Sequence, residues 1–409
     1  MKCPRVPPHC DPLKARSYPV IVLLLTIFAS AASAQVFKTV LSFPGGTEGA
    51  EPPSASIMVS SGNILGATSQ GGDTACSSPL GCGLIYQLTP SGSETVLYSF
   101  GGSLANDGAS PNVPAINPIT HQIEGTTSGG GTNTAACPSG CGTAYAIDSD
   151  GQETILHAFA GSPDANLPAG TSVFDTAGNL YGVSFYGGGL NGDTGHGTVF
   201  TIKSAGQESL LYRFKAPPDG TNPNGALVRD AAGNLYGTTT YGGSGSCNNG
   251  FLPGCGTVFK IDSSGTETVL HSFTGGSDSQ FPTALVQDAS GNLFGAANNN
   301  GTGVIFKLDA SGNFSVIYSG SLASGINNLV LRPSGGFFVT LISGSSFCPS
   351  GCVAELQPNG NGYKPVLLKA FDGIDGNDPD SLVLTKGALY GTTYQGGSSN
   401  LGTVFEITP

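Results

Sequence analysis

The sequence predicts an all-β fold: a seven-bladed β-propeller of four-stranded antiparallel blades, closed by pairing of the N-terminal strand with the C-terminal blade. Three observations lead there. One pattern recurs seven times after residue 35, and regular self-similarity marks a repeat architecture. Each copy divides into four short strand-like segments, the makeup of one propeller blade. The two ends are complementary, because residues 36–43 form a lone fourth segment and Pro409 follows directly on a third. Joining them completes the last blade and removes two exposed sheet edges. A β-solenoid would leave that complementarity unexplained.

Taken in order, the chain opens on a processing segment. Lys2, Arg5, Lys14 and Arg16 precede an apolar run over 20–29, too short for a membrane span, and Ala32-Ser33-Ala34 has the form of a cleavage site. Residues 1–34 therefore read as a signal peptide to be removed, taking Cys3 and Cys10 with them, and 35–409 as a single propeller domain. The whole chain carries a formal charge of −12, and loss of four basic residues against one acidic residue, Asp11, makes the remainder more acidic still. Such a surface repels phosphate backbones and anionic lipid, which argues against nucleic acid as a partner. With 64 Gly and 27 Pro among 409 residues, but 38% hydrophobic residues, the composition suits short core-forming strands between tight turns.

The clearest copy reads ALVRD (226–230), GNLYGTT (233–239), GTVFKID (256–262) and ETVLHSF (267–273). The first and second segments are separated by Asp-x-x-Gly-Asn, beginning at Asp175, Asp230 and Asp288 in three copies. Gly and Asn tolerate positive φ and Asp bonds the turn backbone, so this is a hairpin signal. Third segments such as VFTI (199–202), VFKI (258–261) and VFEI (404–407) alternate strictly, as half-buried strands do. Copy 6 departs most, with Val339 where the others carry Gly.

Eight cysteines remain after residue 34, in four close pairs: Cys76/Cys82, Cys137/Cys141, Cys247/Cys255 and Cys348/Cys352. All fall between the second and third segments of copies 1, 2, 4 and 6, which predicts four local disulfides in an exported protein. Closing such short loops contributes about 2 kcal/mol each on the chain-entropy model. A shared zinc site would need four ligands converging, and the two Cys-Pro-Ser-Gly-Cys copies lie in separate blades.

No nucleophile elbow, two-histidine metal motif or phosphate loop is present. His157 and His271 occupy a position that is Tyr98, Tyr212 or Tyr318 elsewhere, which reads as packing, and His121 and His196 lack a catalytic setting. Two loop families do form a candidate surface on one face. The connections between blades carry Asp107, Asp164, Asp219, Asp278 and Asp375, with Glu48 in the first, and the segments after strand two carry Tyr186, Tyr241 and Tyr394. These carboxylates offer the oxygen ligands Ca²⁺ takes, and equally the acceptors that a turn needs.

At GNLYGTT, YGG, GTVFKI and TVLHSF the chain resembles the GloVer-type tandem-repeat family of exported bacterial proteins, over nearly all of 35–409. The resemblance implies export and a repeat fold, not an activity. A looser likeness to kelch blades rests on the Gly-Gly doublets, without the characteristic Trp. Taken together, the sequence suggests a secreted or periplasmic, non-catalytic and monomeric binding module for a glycan or envelope protein. The alternatives are a polysaccharide-acting lyase or hydrolase using the loop carboxylates, or a purely structural envelope protein.

Overall fold

The computed structural model describes residues 35–52, 57–60, 62–73, 76, 80–190, 193–247, 252–299, 302–320, 325–344, 348–360 and 362–409. The expected signal peptide lies outside the described residues. The remainder is a ring of seven antiparallel blades spanning 57–99, 108–158, 165–213, 220–272, 282–320, 326–370 and 377–408, the last completed by Val36–Ser42. Closure is as expected: Val36–Ser42 pairs antiparallel with Thr403–Thr408, from Val36 opposite Thr408 to Ser42 opposite Thr403. Consecutive blades touch all the way round, including blade 7 on blade 1.

Blade 4 shows how the repeat becomes structure. Its strands are Gly220–Pro223 with Val228–Arg229, then Leu235–Gly242, Thr257–Ile261 and Glu267–Ser272. The Asp230 side chain accepts N–H bonds from Ala232 and Asn234 at 2.9 Å each and an Asn234 side-chain bond at 2.7 Å, which makes the predicted hairpin. Two departures from the sequence expectation concern strand limits. First strands begin earlier, so that the Asp-Gly-x-x-Pro segment read as loop already pairs with the end of strand two. Fourth strands all carry a β-bulge at one place, at Val40, Leu97, Leu156, Leu211, Leu270, Ile317 and Leu368.

Three motif positions explain themselves through packing. The Phe that ends strand four is buried against the third-strand aromatic of the next blade: Phe43–Tyr86, Phe100–Tyr145, Phe159–Phe200, Phe214–Phe259, Phe273–Phe306 and Phe371–Phe405, with centroids 5.0 to 5.4 Å apart. Each such pair is worth about 0.5–1.5 kcal/mol beyond the area it buries. That aromatic ring lies on the strand-two Gly, where a Cβ on Gly237, Gly295 or Gly391 would meet it at 2.5, 2.2 or 2.3 Å. Blade 6 solves the same contact in reverse, with Val339 opposite Ala354.

The third position is the pair of buried hydroxyls at the strand ends. Thr127 faces Thr143 at 3.0 Å, Thr239 faces Thr257 at 2.8 Å and Thr393 faces Thr403 at 2.9 Å. A Cβ on Gly108, Gly220 or Gly376 would strike the first Thr of these pairs at 2.4, 2.6 or 2.5 Å, which is why Gly follows the loop Asp. Where blade 3 has Ala165 the strand residue shrinks to Ser184, and where blade 5 has Ser279 it shrinks to Ala297.

The four predicted disulfides are present: Cys76–Cys82, Cys137–Cys141, Cys247–Cys255 and Cys348–Cys352. They are bonds of an oxidising, extracellular or periplasmic environment. No helix among the described residues is long and apolar enough to cross a membrane.

Candidate functional site

The recurrent loop carboxylates are engaged locally. Asp107 Oδ2 accepts from Tyr98 Oη at 2.9 Å and from the Gly101 N–H at 2.7 Å, while Oδ1 accepts the Gly108 N–H at 2.5 Å. Asp219 repeats this with Tyr212 Oη at 2.8 Å and the N–H groups of Lys215 and Gly220. Asp164 and Asp278 do the same with His157 and His271, each 3.2 Å away, so imidazole stands in for phenol. Burial pushes the Asp164 carboxyl up, and bonds from His157, the Ala160 N–H and the Ala165 N–H more than offset this, leaving it below the ordinary value. Asp375 contacts Lys369 Nζ and accepts the Asp372 N–H at 3.1 Å. Each carboxylate ties its own fourth strand to its own loop, one per blade junction, and the five do not converge.

The three tyrosines divide differently. Tyr186 and Tyr241 hold the same place, just before the Gly-Gly doublet, whereas Tyr394 stands one residue earlier. Tyr186 is exposed and meets Phe185 edge-on at 4.9 Å; Tyr241 meets Phe281 of the next blade at 5.7 Å. Tyr394 Oη donates to Glu51 Oε2 at 3.0 Å.

Phe281 and Glu51 belong to a set that the residue types themselves do not mark. Glu51, Ser110, Leu167, Asn222, Phe281 and Asp378 all have left-handed backbone, φ 50 to 59°, and each precedes a proline. Bulky residues such as Leu and Phe are strained in that region. The strain is held by one repeated bond, since each N–H donates to a carbonyl of the preceding blade: Leu401, Cys82, Cys141, His196, Cys255 and Ser350. Their side chains vary freely while the backbone does not. Only the shared proline hints at the position in the sequence, and it says nothing of φ.

Leu167 lines the cavity of 870 Å³ that runs along the first strands of blades 2 to 7, and the other five hold the same place at the start of the first strand in their own blades. The rim is two-sided. Leu167, Phe185, Tyr186, Tyr241 and Phe281 make an apolar, aromatic arc on blades 3 to 5. On blades 7 and 1 the corresponding places are polar and acidic, held by Asp378, Tyr394 and Glu51, and buried Asp380 accepts from Asn327 in the channel lining. Aromatic faces opposite carboxylates and amides can hold a ligand with apolar faces and hydroxyl edges.

Residues 131–328 match the family model described as the Gloeobacter/Verrucomicrobia repeat. No curated protein matches the chain. Among solved structures, virginiamycin B lyase from Staphylococcus aureus is similar at 12% identity and TM-score 0.59, over 92% of this chain and 99% of that one. A streptogramin B lyase structure is similar at 12% identity and TM-score 0.56, over 91% and 97%. PorZ, a surface component of the type-IX secretion system of Porphyromonas gingivalis, gives 14% identity and TM-score 0.52, over 90% of this chain and 48% of that one. At such identities the likeness is one of fold. The fold and the repeat agree, and the chain is a seven-bladed propeller that carries the Gloeobacter/Verrucomicrobia tandem repeat over residues 131–328.

Proposed function

We propose that the protein is an exported, non-catalytic binding module that takes a glycan chain at the channel mouth. The observation that carries this is the two-sided rim: variable side chains on a strained but repeated backbone, aromatic on blades 3 to 5 and acidic on blades 7 and 1. Sugar rings present apolar faces for Tyr186 and Phe281 to stack on, and their hydroxyls suit Glu51 and Asp378. The loop carboxylates take no part in this reading, because each is held by its own turn. Nor are any two of the five loop aspartates brought together as the paired acid and base that a glycosidase or lyase needs within one pocket. Export rests on residues 1–34, whose basic start, apolar run and Ala-Ser-Ala site read as a signal peptide. Titration with a panel of oligosaccharides tests the reading. Tyr186→Ala and Phe281→Ala should each weaken binding by roughly tenfold, as loss of an aromatic anchor does. A panel that binds equally well to both variants would sink it.

A further inference from the structure

The blade junctions can be compared as variants of one site, and one of them differs in kind. At four of them, a fourth-strand side chain and the loop Asp of one blade meet the residue that opens strand four of the next. Between blades 1 and 2 the three are Tyr98, Asp107 and Glu153; between 3 and 4 they are Tyr212, Asp219 and Glu267. Between 4 and 5 they are His271, Asp278 and Phe314, whose ring stacks on the imidazole at 3.5 Å. Between 2 and 3 they are His157, Asp164 and Glu208, among the described residues the one junction that joins imidazole to two carboxylates. We propose that His157, Asp164 and Glu208 form a binding site for a divalent transition metal such as Zn²⁺, with remaining positions open to water.

Geometry and donor chemistry support the assignment. One ligand atom from each residue lies within 4.8 Å of the others, and His157 Nε2 stands 3.2 Å from Asp164 Oδ2. Ligand atoms on a tetrahedral centre at about 2.0–2.1 Å sit about 3.3 Å apart, so only the Glu208 side chain needs to close in. Glu208 Oε1 is buried with no hydrogen-bond partner, as are the equivalent oxygens of Glu94, Glu153 and Glu267, so it is the imidazole of His157 that sets this junction apart. Backbone N–H groups of Ala160 and Ala165 fix the Asp164 carboxylate, and Phe159 packs edge-on against the His157 ring at 4.9 Å. Such outer support orients metal ligands. One imidazole with two carboxylates suits zinc-type ions; Ca²⁺ prefers oxygen alone.

The other junctions supply the controls. His157→Tyr recreates the Tyr98 and Tyr212 arrangement, which keeps the bond to Asp, so folding is retained by design. Isothermal titration of the purified, untagged protein with Zn²⁺, with metal counted after dialysis, should find one ion per chain. Binding should weaken at least about tenfold in both His157→Tyr and Glu208→Gln, with melting curves unchanged in the absence of metal. Tyr212→His should create a second equivalent, because Asp219 and Glu267 already stand in place. The proposal is overturned if wild type binds no Zn²⁺ at micromolar levels, or if its stoichiometry ignores all three substitutions. Ca²⁺ should not compete.

Discussion

Tyr86 and Tyr145 sit where blades 3, 4, 5 and 7 place Phe200, Phe259, Phe306 and Phe405. Both rings are fully buried, and neither hydroxyl has a hydrogen-bond partner among the described residues. A buried polar atom without a partner costs about 1–3 kcal/mol. Tyr145→Phe should therefore stabilise the fold by about 1 kcal/mol, read as a higher urea midpoint at unchanged slope. A lower midpoint would mean that the hydroxyl is satisfied by a buried water. At this scale the sequence was legible where chemistry recurs and opaque where it does not. The loop aspartates were visible as a series, but the sequence could not say that Tyr98 and Tyr212 lie within reach to bond them. Glu51, Leu167 and Phe281 share a backbone and no side-chain chemistry, so only the proline after each could collect them, and it does not reveal their left-handed φ.

The strand pairings carry the next level. Third strands were readable from their alternation, but they are not half-buried as it suggested: sandwiched between neighbouring blades, they are buried on both faces, as in Thr257–Ile261, where only Lys260 is partly exposed. The starts of the first strands were not readable, because Gly, Pro and a left-handed residue read as loop while still pairing with strand two. The Gly at the centre of strand two is a contact between strands rather than a turn. Gly391→Ala should push Phe405 out of place and cost about 1–3 kcal/mol, and Phe405→Ala alone about 3–5 kcal/mol. Blade 6 tolerates a larger residue there because Ala354 faces Val339. The double variant should consequently lose less than the sum of the two, by about 1 kcal/mol or more in a double-mutant cycle. Strict additivity would refute the idea that each of these positions sets the size of the other.

Across the whole molecule, closure and the ring of disulfides were legible from the orphan end strands and the paired cysteines. Electrostatics between blades was not, since it depends on which carboxylates the ring brings together. Burial, aided by Glu48, Asp107 and Asp219 respectively, raises Glu94, Glu153 and Glu267 from 4.5 to about 7. A carboxyl raised on folding binds its proton more tightly in the folded state. The stability this contributes is full below pH 4.5 and is lost as pH rises through about 7. The turn residues Asp175, Asp230 and Asp288 run the other way. Burial opposes their ionisation, but hydrogen bonds from their own turns leave them below 3.8, so their contribution fades only as pH falls through that range. Melting temperature should thus decline from pH 5 to pH 8, and joint Glu94→Gln, Glu153→Gln and Glu267→Gln substitution should flatten that decline. These groups are partly exposed, so salt should mute the effect. An identical slope in the triple variant would assign the decline to net charge instead.

The division between a repeated scaffold and a variable rim is tested most directly by following oligosaccharide binding and melting together. Asp219→Asn, which weakens the tie between Tyr212 and the loop, should lower the melting temperature and leave affinity unchanged. Joint Tyr186→Ala and Phe281→Ala should abolish binding and leave the melting temperature within a few degrees. Loss of binding in Asp219→Asn at an unchanged melting temperature would contradict that division and return function to the loop carboxylates.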